Sequence, residues 1–356
     1  MSRPSWDDEM REVAMTTLDS RRWVKGPQAI AFANEFAEYC GALGAVACSS
    51  GSTALWAALR VLGIGPGDEV ILPTLTFIAT ATAVSNTGAM PVFVDIEPEF
   101  WCINPEEVRK AINGNTKAVI GVHLFGQMFS SELVDVCKEA KIPLIEDAAQ
   151  AHGGELEGKK SGSIAELACF SFFPSKNIAV GGEGGMITTN DPSLLQTLQQ
   201  IVDNGRAEDF LSHEIGSNLR MPEVAAAIGR VQLSKLDEWI AKRTVIAEHY
   251  PSIPIRPGSR HAFHQFNILS DAPQELIAEL NSDGISARIH YPTPCHKHPV
   301  YLNHPQHTDE FPITDAVCSR LVSIPIFHEM SAEEIDRVSS CLERITSLPN
   351  LHSTSL

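Results

Sequence analysis

Residues 141–190 read KIPLIEDAAQAHGGELEGKKSGSIAELACFSFFPSKNIAVGGEGGMITTN and contain two short apolar runs, each followed by a reactive side chain. The first run, residues 142–145, leads to Asp147, and the second, residues 168–173, is followed by Lys176. Short apolar runs bounded by turn residues are typical of buried parallel strands. Such sheets bind ligands outside the carboxyl ends of their strands, so Asp147 and Lys176 are predicted to lie beside one site.

An acid and a lysine beside one site are the two groups that pyridoxal phosphate (PLP) chemistry requires. The lysine forms a Schiff base with the cofactor, and the acid pairs with the pyridinium nitrogen. Most lysines are solvated surface residues, so the pattern by itself does not decide the role of Lys176.

Three segments, in this order, resemble the DegT/DnrJ/EryC1/StrS family of sugar aminotransferases: SSGSTAL (49–55), EDAAQAHG (146–153) and SFFPSKNIAVGGEGG (171–185). The resemblance extends from WVKGP, at residues 23–27, to about Leu342 and covers nearly the whole chain. It implies the fold-type I, aspartate-aminotransferase-like architecture. It also implies a PLP enzyme of amino-sugar or polysaccharide biosynthesis that moves an amino group from an amino acid, such as L-glutamate, to a keto sugar that is usually nucleotide-linked.

The resemblance further implies roles for individual residues. Lys176 would hold PLP, Asp147 would pair with its pyridine nitrogen, and Gln150 would hydrogen-bond its phenolic oxygen. Phe77 lies in a segment that matches the family pattern TFxAT, and a flat cofactor needs a flat side chain to stack on. The residues expected to bind the phosphate are Gly51, Ser52, Ser171 and Asn218.

The turn at Gly51 and Ser52 also has a physical argument of its own. A Gly- and Ser-rich turn that leads into a helix presents free backbone N–H groups and the positive end of the helix dipole to an anion. The alternative is an ordinary serine cap of that helix. Asn218 has a similar alternative, as a turn residue before the helix that begins near Pro222. In the family this Asn reaches the neighbouring subunit's cofactor, which predicts a homodimer with shared active sites.

The order of strands and helices predicts the fold class. Strands and helices alternate along the first half of the chain, which indicates right-handed crossovers and a mainly parallel sheet covered by helices. We predict a large α/β PLP-binding domain over residues 1–240 and a small C-terminal α/β domain over residues 241–356. The small domain is expected to contain strands at residues 263–269 and 284–291. Trp23 is interpreted as a core residue.

The composition restricts the compartment and the partners. The 356 residues are 44% hydrophobic and 20% charged, as in globular proteins. The formal net charge of −17 argues against a nucleic-acid partner, although a local site can still bind a phosphorylated ligand. No run approaches the roughly 18 apolar residues of a membrane span, and the N-terminus lacks a segment of signal-peptide type. We therefore expect a cytoplasmic enzyme with no membrane partner.

No metal site is predicted. The eight cysteines are scattered without a C-x-x-C pair and have mostly apolar neighbours. Five histidines between residues 290 and 307 lie in a Pro-interrupted stretch, and no H-E-x-x-H pattern occurs.

Three alternative functions stay open at this point. A PLP-dependent sugar dehydratase is known in the family when histidine replaces the lysine, and Lys176 argues against it. An aminotransferase for a cyclitol or another non-nucleotide ketone is compatible with the same motifs. A PLP-binding regulatory protein is a third alternative, against which the complete set of Asp147, Gln150, Ser171 and Lys176 argues.

Overall fold

The computed structural model describes residues 3–346, which form a seven-stranded, a three-stranded and a two-stranded sheet together with eleven α-helices. The strands are β1 (Gly44–Cys48), β2 (Glu69–Pro73), β3 (Met90–Val94), β4 (Thr116–Val122), β5 (Leu144–Asp147), β6 (Glu155–Leu156), β7 (Lys159–Lys160), β8 (Leu167–Ser171), β9 (Gly185–Thr189), β10 (Ser259–Arg260), β11 (Phe266–Leu269) and β12 (Leu321–Ile324). The helices are α1 (Asp8–Asp19), α2 (Pro27–Cys40), α3 (Gly51–Val61), α4 (Ile78–Ser85), α5 (Pro105–Ala111), α6 (Ser131–Ala140), α7 (Pro192–Ile201), α8 (Glu223–Ala247), α9 (Pro273–Ser282), α10 (Pro312–Arg320) and α11 (Ala332–Thr346).

The large sheet has the strand order β1-β9-β8-β5-β4-β2-β3. All neighbouring pairs from β8 to β3 are parallel, whereas β9 runs antiparallel to both β8 and β1. Two antiparallel steps restore the direction, so β1 points the same way as the parallel strands. The predicted mainly parallel sheet is confirmed, and the carboxyl ends of β1, β2, β5 and β8 lie along one edge. A ligand of such a sheet binds at that edge.

Helices cover both faces of the large sheet, which explains why its strands are apolar along their whole length. On one face, α3 packs through residues such as Leu55 against the strands. On the other face, α2 and α8 enclose an aromatic cluster in which the rings of Phe36 and Phe170 lie 4.8 Å apart. Each buried Phe contributes about 1.5–3 kcal/mol of hydrophobic stabilisation. The cluster consists of Phe32, Phe36, Phe170 and Phe172.

Helix α8 connects the large sheet to the C-terminal part of the chain. Its Leu236 and Ile240 pack in the core beside the large sheet, whereas Ile246 packs in the core around β11 and β12. The division into domains at residue 240 stays a prediction, and α8 runs across that residue without a break. Residues 347–356 of the predicted small domain lie outside the described part of the chain.

One strand prediction for the small sheet is confirmed with a later start, and the other is wrong. Strand β11 begins three residues later than predicted, because Phe263 has a φ of 44°, in the left-handed region that a strand does not use. Residues 284–291 form no strand, and only Arg288 pairs there, with the backbone of Ser323. The following Pro292 cannot donate a ladder hydrogen bond. Strand β12 is the partner of β11 instead.

Trp23 lies at the surface, contrary to the prediction. Its side chain is 59% exposed, and its indole N–H donates to the carbonyl of Leu18 at 3.0 Å. Several other large apolar side chains are exposed as well. The most exposed apolar side chains in the neighbouring segment 203–216 are those of Phe210, Leu211 and Ile215.

The described residues also bear on membranes and metals. Between residues 3 and 346, no helix combines the length and the apolar character needed to cross a bilayer. Over the same range, no group of three or more His, Cys, Asp and Glu side chains is arranged to hold a metal ion.

Candidate active site

A cavity of about 430 Å³ opens at the carboxyl edge of the large sheet, a size typical of small-molecule sites. Asn218 is the one predicted site residue that does not line it. The Asn218 side chain is exposed, and its backbone pairs with that of Asp203. The predicted site residues that line the cavity are Gly51, Ser52, Phe77, Asp147, Gln150, Ser171 and Lys176.

The start of α3 and the end of β8 form a tight cup on one side of the cavity. Ser50 caps the helix, because its Oγ accepts from the N–H of Thr53 at 3.2 Å, so the ordinary-cap alternative is realised at Ser50. Gly51 and Ser52, the next two residues, line the cavity. A Cβ on Gly51 would lie 2.6 Å from Cβ of Ser171, so only glycine lets the helix start approach this strand end.

The two adjacent carboxylates of β5 have different surroundings, because neighbouring strand residues point to opposite faces of a sheet. Glu146 is fully buried, and His123 Nε2 lies 2.9 Å from its Oε2. The N–H of Gly162 donates to Oε2 at 3.0 Å, and the N–H of Ile164 donates to Oε1 at 2.9 Å. These contacts make Glu146 a structural residue. Asp147 lines the cavity instead.

The Asp147 carboxylate is held in place by two donors. The Thr80 hydroxyl donates to Oδ2 at 2.8 Å, and the N–H of Ala149 donates to Oδ1 at 3.2 Å. Burial raises the pKa of Asp147 above its usual 3.8, while these hydrogen bonds and the charge of Lys176 act in the opposite direction. A positive group brought beside the carboxylate would therefore gain a desolvated, preoriented partner.

Lys176 lies in the loop that follows β8, and that loop is tied down on both sides. The Lys176 N–H donates to the Phe173 carbonyl at 2.8 Å, and the neighbouring Asn177 Nδ2 donates to the Ala262 carbonyl at 2.8 Å. Within residues 3–346 the Lys176 Nζ makes no hydrogen bond. Burial lowers the pKa of this amine from 10.5 to about 8, although the charge of Asp147 favours the protonated form.

Gln150 and Phe77 meet at Tyr291. The Gln150 Oε1 accepts from the N–H of Phe125 at 2.6 Å, and its Nε2 donates to the Tyr291 hydroxyl at 2.8 Å. The rings of Phe77 and Tyr291 lie 5.8 Å apart at an angle of 41°, and Phe77 is 52% exposed. An exposed aromatic face at a cavity suits a planar ligand.

The structure adds cavity residues that sequence reasoning missed. Tyr291 lines the cavity and lies in the IHYP segment, and Thr80 contacts Asp147 from the matched TFIAT segment, so both had a signal in the family-like motifs. Glu183, His264 and Gln265 also line the cavity. Nothing in the sequence pattern distinguishes His264 from the other twelve histidines.

Comparison with known proteins decides the family. The sequence profile of the DegT/DnrJ/EryC1/StrS aminotransferase family matches residues 4–343. The chain belongs to this family. The predicted activity of a PLP-dependent sugar aminotransferase, with PLP as its cofactor, is thereby confirmed at the level of the family.

Individual relatives cover almost the whole chain. A protein of Acidithiobacillus ferrooxidans, described as a UDP-N-acetyl-3-dehydro-alpha-D-glucosamine 3-aminotransferase, is 36% identical over 92% of this chain and 91% of its own length. A pleiotropic regulatory protein of Geobacillus stearothermophilus is also 36% identical, again over 92% and 91%. The crystal structure of DesV from S. venezuelae in complex with a ketimine intermediate has a TM-score of 0.92 at 34% identity, over 94% of each chain. The fold-type I aminotransferase architecture is confirmed.

Proposed function

We propose that this aminotransferase moves an amino group from L-glutamate to a keto sugar that is carried on a nucleotide. The observation that carries the proposal is the placement of Lys176, Asp147 and the Gly51–Ser52 turn around one cavity. The nucleotide-linked acceptor is supported by the relative from Acidithiobacillus ferrooxidans, which is described as acting on a UDP-linked sugar.

The residues of the cavity fit PLP. The cup at Gly51, Ser52 and Ser171 is a cradle that a single added Cβ would fill, and it lies at the N-terminus of α3, where backbone N–H groups bind a phosphate well. Asp147 offers a buried carboxylate for a pyridine nitrogen. When bound, PLP supplies an aldehyde that bonds to amines and a ring that takes up electrons.

Each remaining residue has a role that follows from its position. The Lys176 amine, with a pKa near 8, is about one-tenth uncharged at pH 7, so its Nζ can accept a proton from the donor's α-carbon and later return it. Asp147, oriented by Thr80, stabilises positive charge on the ring nitrogen. Phe77 provides the surface on which the cofactor ring stacks. Gln150 donates one amide hydrogen to Tyr291 and keeps the other for the phenolic oxygen of PLP.

We further propose that Asn218 completes the site of a second copy of the chain. Asn218 is exposed and does not line its own cavity, while Asp203, its backbone partner, pairs with Lys25 and Arg220. The ion pair to Lys25 joins this segment to the exposed Trp23. Exposed apolar side chains in this segment, and an Asn218 that lies outside its own chain's cavity, support a two-fold dimer as the smallest active unit.

A substrate screen tests the proposed reaction. The enzyme is given L-glutamate with UDP-, dTDP- and GDP-linked keto sugars and with a keto-cyclitol, and products are identified by mass spectrometry. We expect an aminated nucleotide sugar, and none from Lys176→Ala. Amination of the cyclitol alone would contradict the nucleotide-linked acceptor. No change in cofactor absorbance on adding glutamate, together with no aminated product, would contradict the enzyme and favour a regulator.

Complementation tests the shared site. Lys176→Ala chains are mixed with Asn218→Ala chains, after the second variant alone is shown to retain PLP poorly. A mixed dimer then carries one site with both defects and one intact site. Random pairing makes half the dimers mixed, so activity should return to about a quarter of the wild-type value. No recovery despite proven subunit exchange would place Asn218 outside the partner's site, and an active monomer would contradict the dimer.

A further inference from the structure

Glu223, the first residue of α8, is a fully buried carboxylate that lies at the start of another helix. The N–H of Gln28 donates to its Oε2 at 2.7 Å, and the N–H of Ala29 donates to its Oε1 at 3.2 Å. Both donors belong to the first turn of α2, whose own cap residue, Gly26, has no side chain that could accept from them. Glu223 therefore caps α2 from a distant part of the chain.

The segment before α2 caps α8 in return. The Glu223 N–H, one of the free amides at the start of α8, donates to the Trp23 carbonyl at 2.9 Å. Gly26 permits this approach, because a Cβ there would lie 2.5 Å from the Glu223 Oε2. Two helix N-termini thus meet at one carboxylate, and each brings the positive end of its dipole. These dipoles and the two main-chain donors stabilise a charge that would otherwise be costly to bury.

The same segment connects this helix joint to Asn218. Lys25 of the segment pairs with the Asp203 carboxylate, and the Asp203 backbone pairs with that of Asn218. The chain itself gives a second connection, because Asn218 lies shortly before Glu223 in the sequence. The joint at Glu223 therefore restrains Asn218 from both sides.

Neither end of this connection belongs to the cavity of the same chain. Glu223, Lys25 and Asn218 are all absent from the residues that line it, and Asn218 is exposed. A change at Glu223 should therefore be felt at the surface that carries Asn218, rather than directly at Lys176 and Asp147.

We propose that Glu223 is a positioning residue for the active site of the partner chain. By joining the starts of α2 and α8, it holds Asn218 where its amide reaches the cofactor phosphate of the second copy. The inference rests on the proposed shared site. It adds a residue that acts through Asn218 and contacts neither cofactor nor substrate.

Complementation distinguishes this role from an effect on the fold of the same chain. Glu223→Ala alone should bind PLP at least about tenfold more weakly than the wild type in a fluorescence titration, and its activity should fall. A dimer mixed with a Lys176→Ala chain then has one site with both defects and one intact site. Activity should rise to about a quarter of the wild-type value, because random pairing makes half the dimers mixed. Native mass spectrometry, with the Lys176→Ala chain labelled with ¹⁵N, establishes that mixed dimers have formed.

Glu146 provides a matched control. It is also a buried carboxylate that accepts from main-chain N–H groups, but it lies in β5 beside Asp147, within the large sheet of its own chain. A defect at Glu146 should stay with the chain that carries it. The mixture of Glu146→Ala with Lys176→Ala should therefore be no more active than the average of the two variants measured apart.

Two milder variants keep the test decisive if Glu223→Ala does not fold. Glu223→Gln keeps one acceptor oxygen, so its Kd for PLP should lie between those of the wild type and a variant without any acceptor, and it can replace Glu223→Ala in the mixture. Lys25→Met removes the ion pair to Asp203 from a side chain that is half exposed, and should raise the Kd for PLP about two- to fivefold. Wild-type affinity in both variants overturns the inference.

The outcomes also separate this inference from the proposed function. Wild-type PLP affinity in Glu223→Ala, or no recovery in a mixture that contains mixed dimers, overturns the positioning role. Failure to form mixed dimers does so as well, because Glu223 would then serve assembly. If Asn218→Ala recovers with Lys176→Ala and Glu223→Ala does not, the shared site stands and only this inference is wrong. If neither mixture recovers, the shared site is wrong and this inference with it.

Discussion

The titration of Lys176 in the cofactor-free protein can be predicted from its burial. Burial lowers the pKa of its amine from 10.5 to about 8, and the uncharged amine is the form that attacks an aldehyde. At pH 7, about one-tenth of the amines would then be uncharged, against roughly one in 3,000 at a pKa of 10.5. The gain in reactive amine is about 300-fold at neutral pH and disappears as the pH rises above 10.5.

Competitive labelling measures this pKa directly. The cofactor-free enzyme is treated with trace acetic anhydride from pH 6 to 11, and acetylation of the Lys176 peptide is read by mass spectrometry. Exposed Lys159 in the same digest is the reference. We expect a midpoint near 8, and a lower midpoint in Asp147→Asn, because the Asp147 charge favours protonated Lys176. A midpoint near 10.5 would refute the burial argument, and no shift in the variant would refute the coupling to Asp147.

Three further substitutions probe the groups around the cofactor. Asp147→Asn keeps the shape of the side chain but removes its charge. Its kcat should fall by several powers of ten, equivalent to about 4 kcal/mol or more, while PLP stays attached. An active variant would mean that another group protonates the ring. Thr80→Val removes the 2.8 Å hydrogen bond to Asp147 and should lower kcat/KM about ten- to a hundredfold in steady-state assays. Unchanged kinetics would show that Asp147 needs no orientation by Thr80. Gly51→Ala brings a Cβ within 2.6 Å of Ser171 and should raise the Kd for PLP at least about tenfold, as measured by fluorescence titration. If the variant keeps the wild-type Kd, the cup at Gly51 does not bind the PLP phosphate.

Much of the large sheet could be predicted because its strands are short apolar runs that end at polar residues. That pattern locates the carboxyl edge, and the edge brings Gly51, Phe77, Asp147 and Lys176 to one cavity. Right-handed crossovers between parallel strands restrict the possible strand orders of the sheet to a few.

The small sheet and the far wall of the cavity could not be predicted in the same way. A left-handed φ at Phe263 depends on contacts from Arg243 and Gly126, which are distant in sequence. The prediction of Trp23 as a core residue follows from the usual burial of large aromatic residues, whereas the structure exposes this side chain.

The fate of the amino nitrogen is the most direct measurement of whether this chain is a sugar aminotransferase that works through Lys176. The enzyme is incubated with L-[¹⁵N]glutamate and the keto-sugar nucleotide from the screen, and both products are quantified by mass spectrometry. We predict one ¹⁵N-labelled amino sugar for each 2-oxoglutarate formed, and neither product from Lys176→Ala. Label transfer by the Lys176→Ala variant, or 2-oxoglutarate formed over many turnovers without labelled sugar, would contradict the proposal.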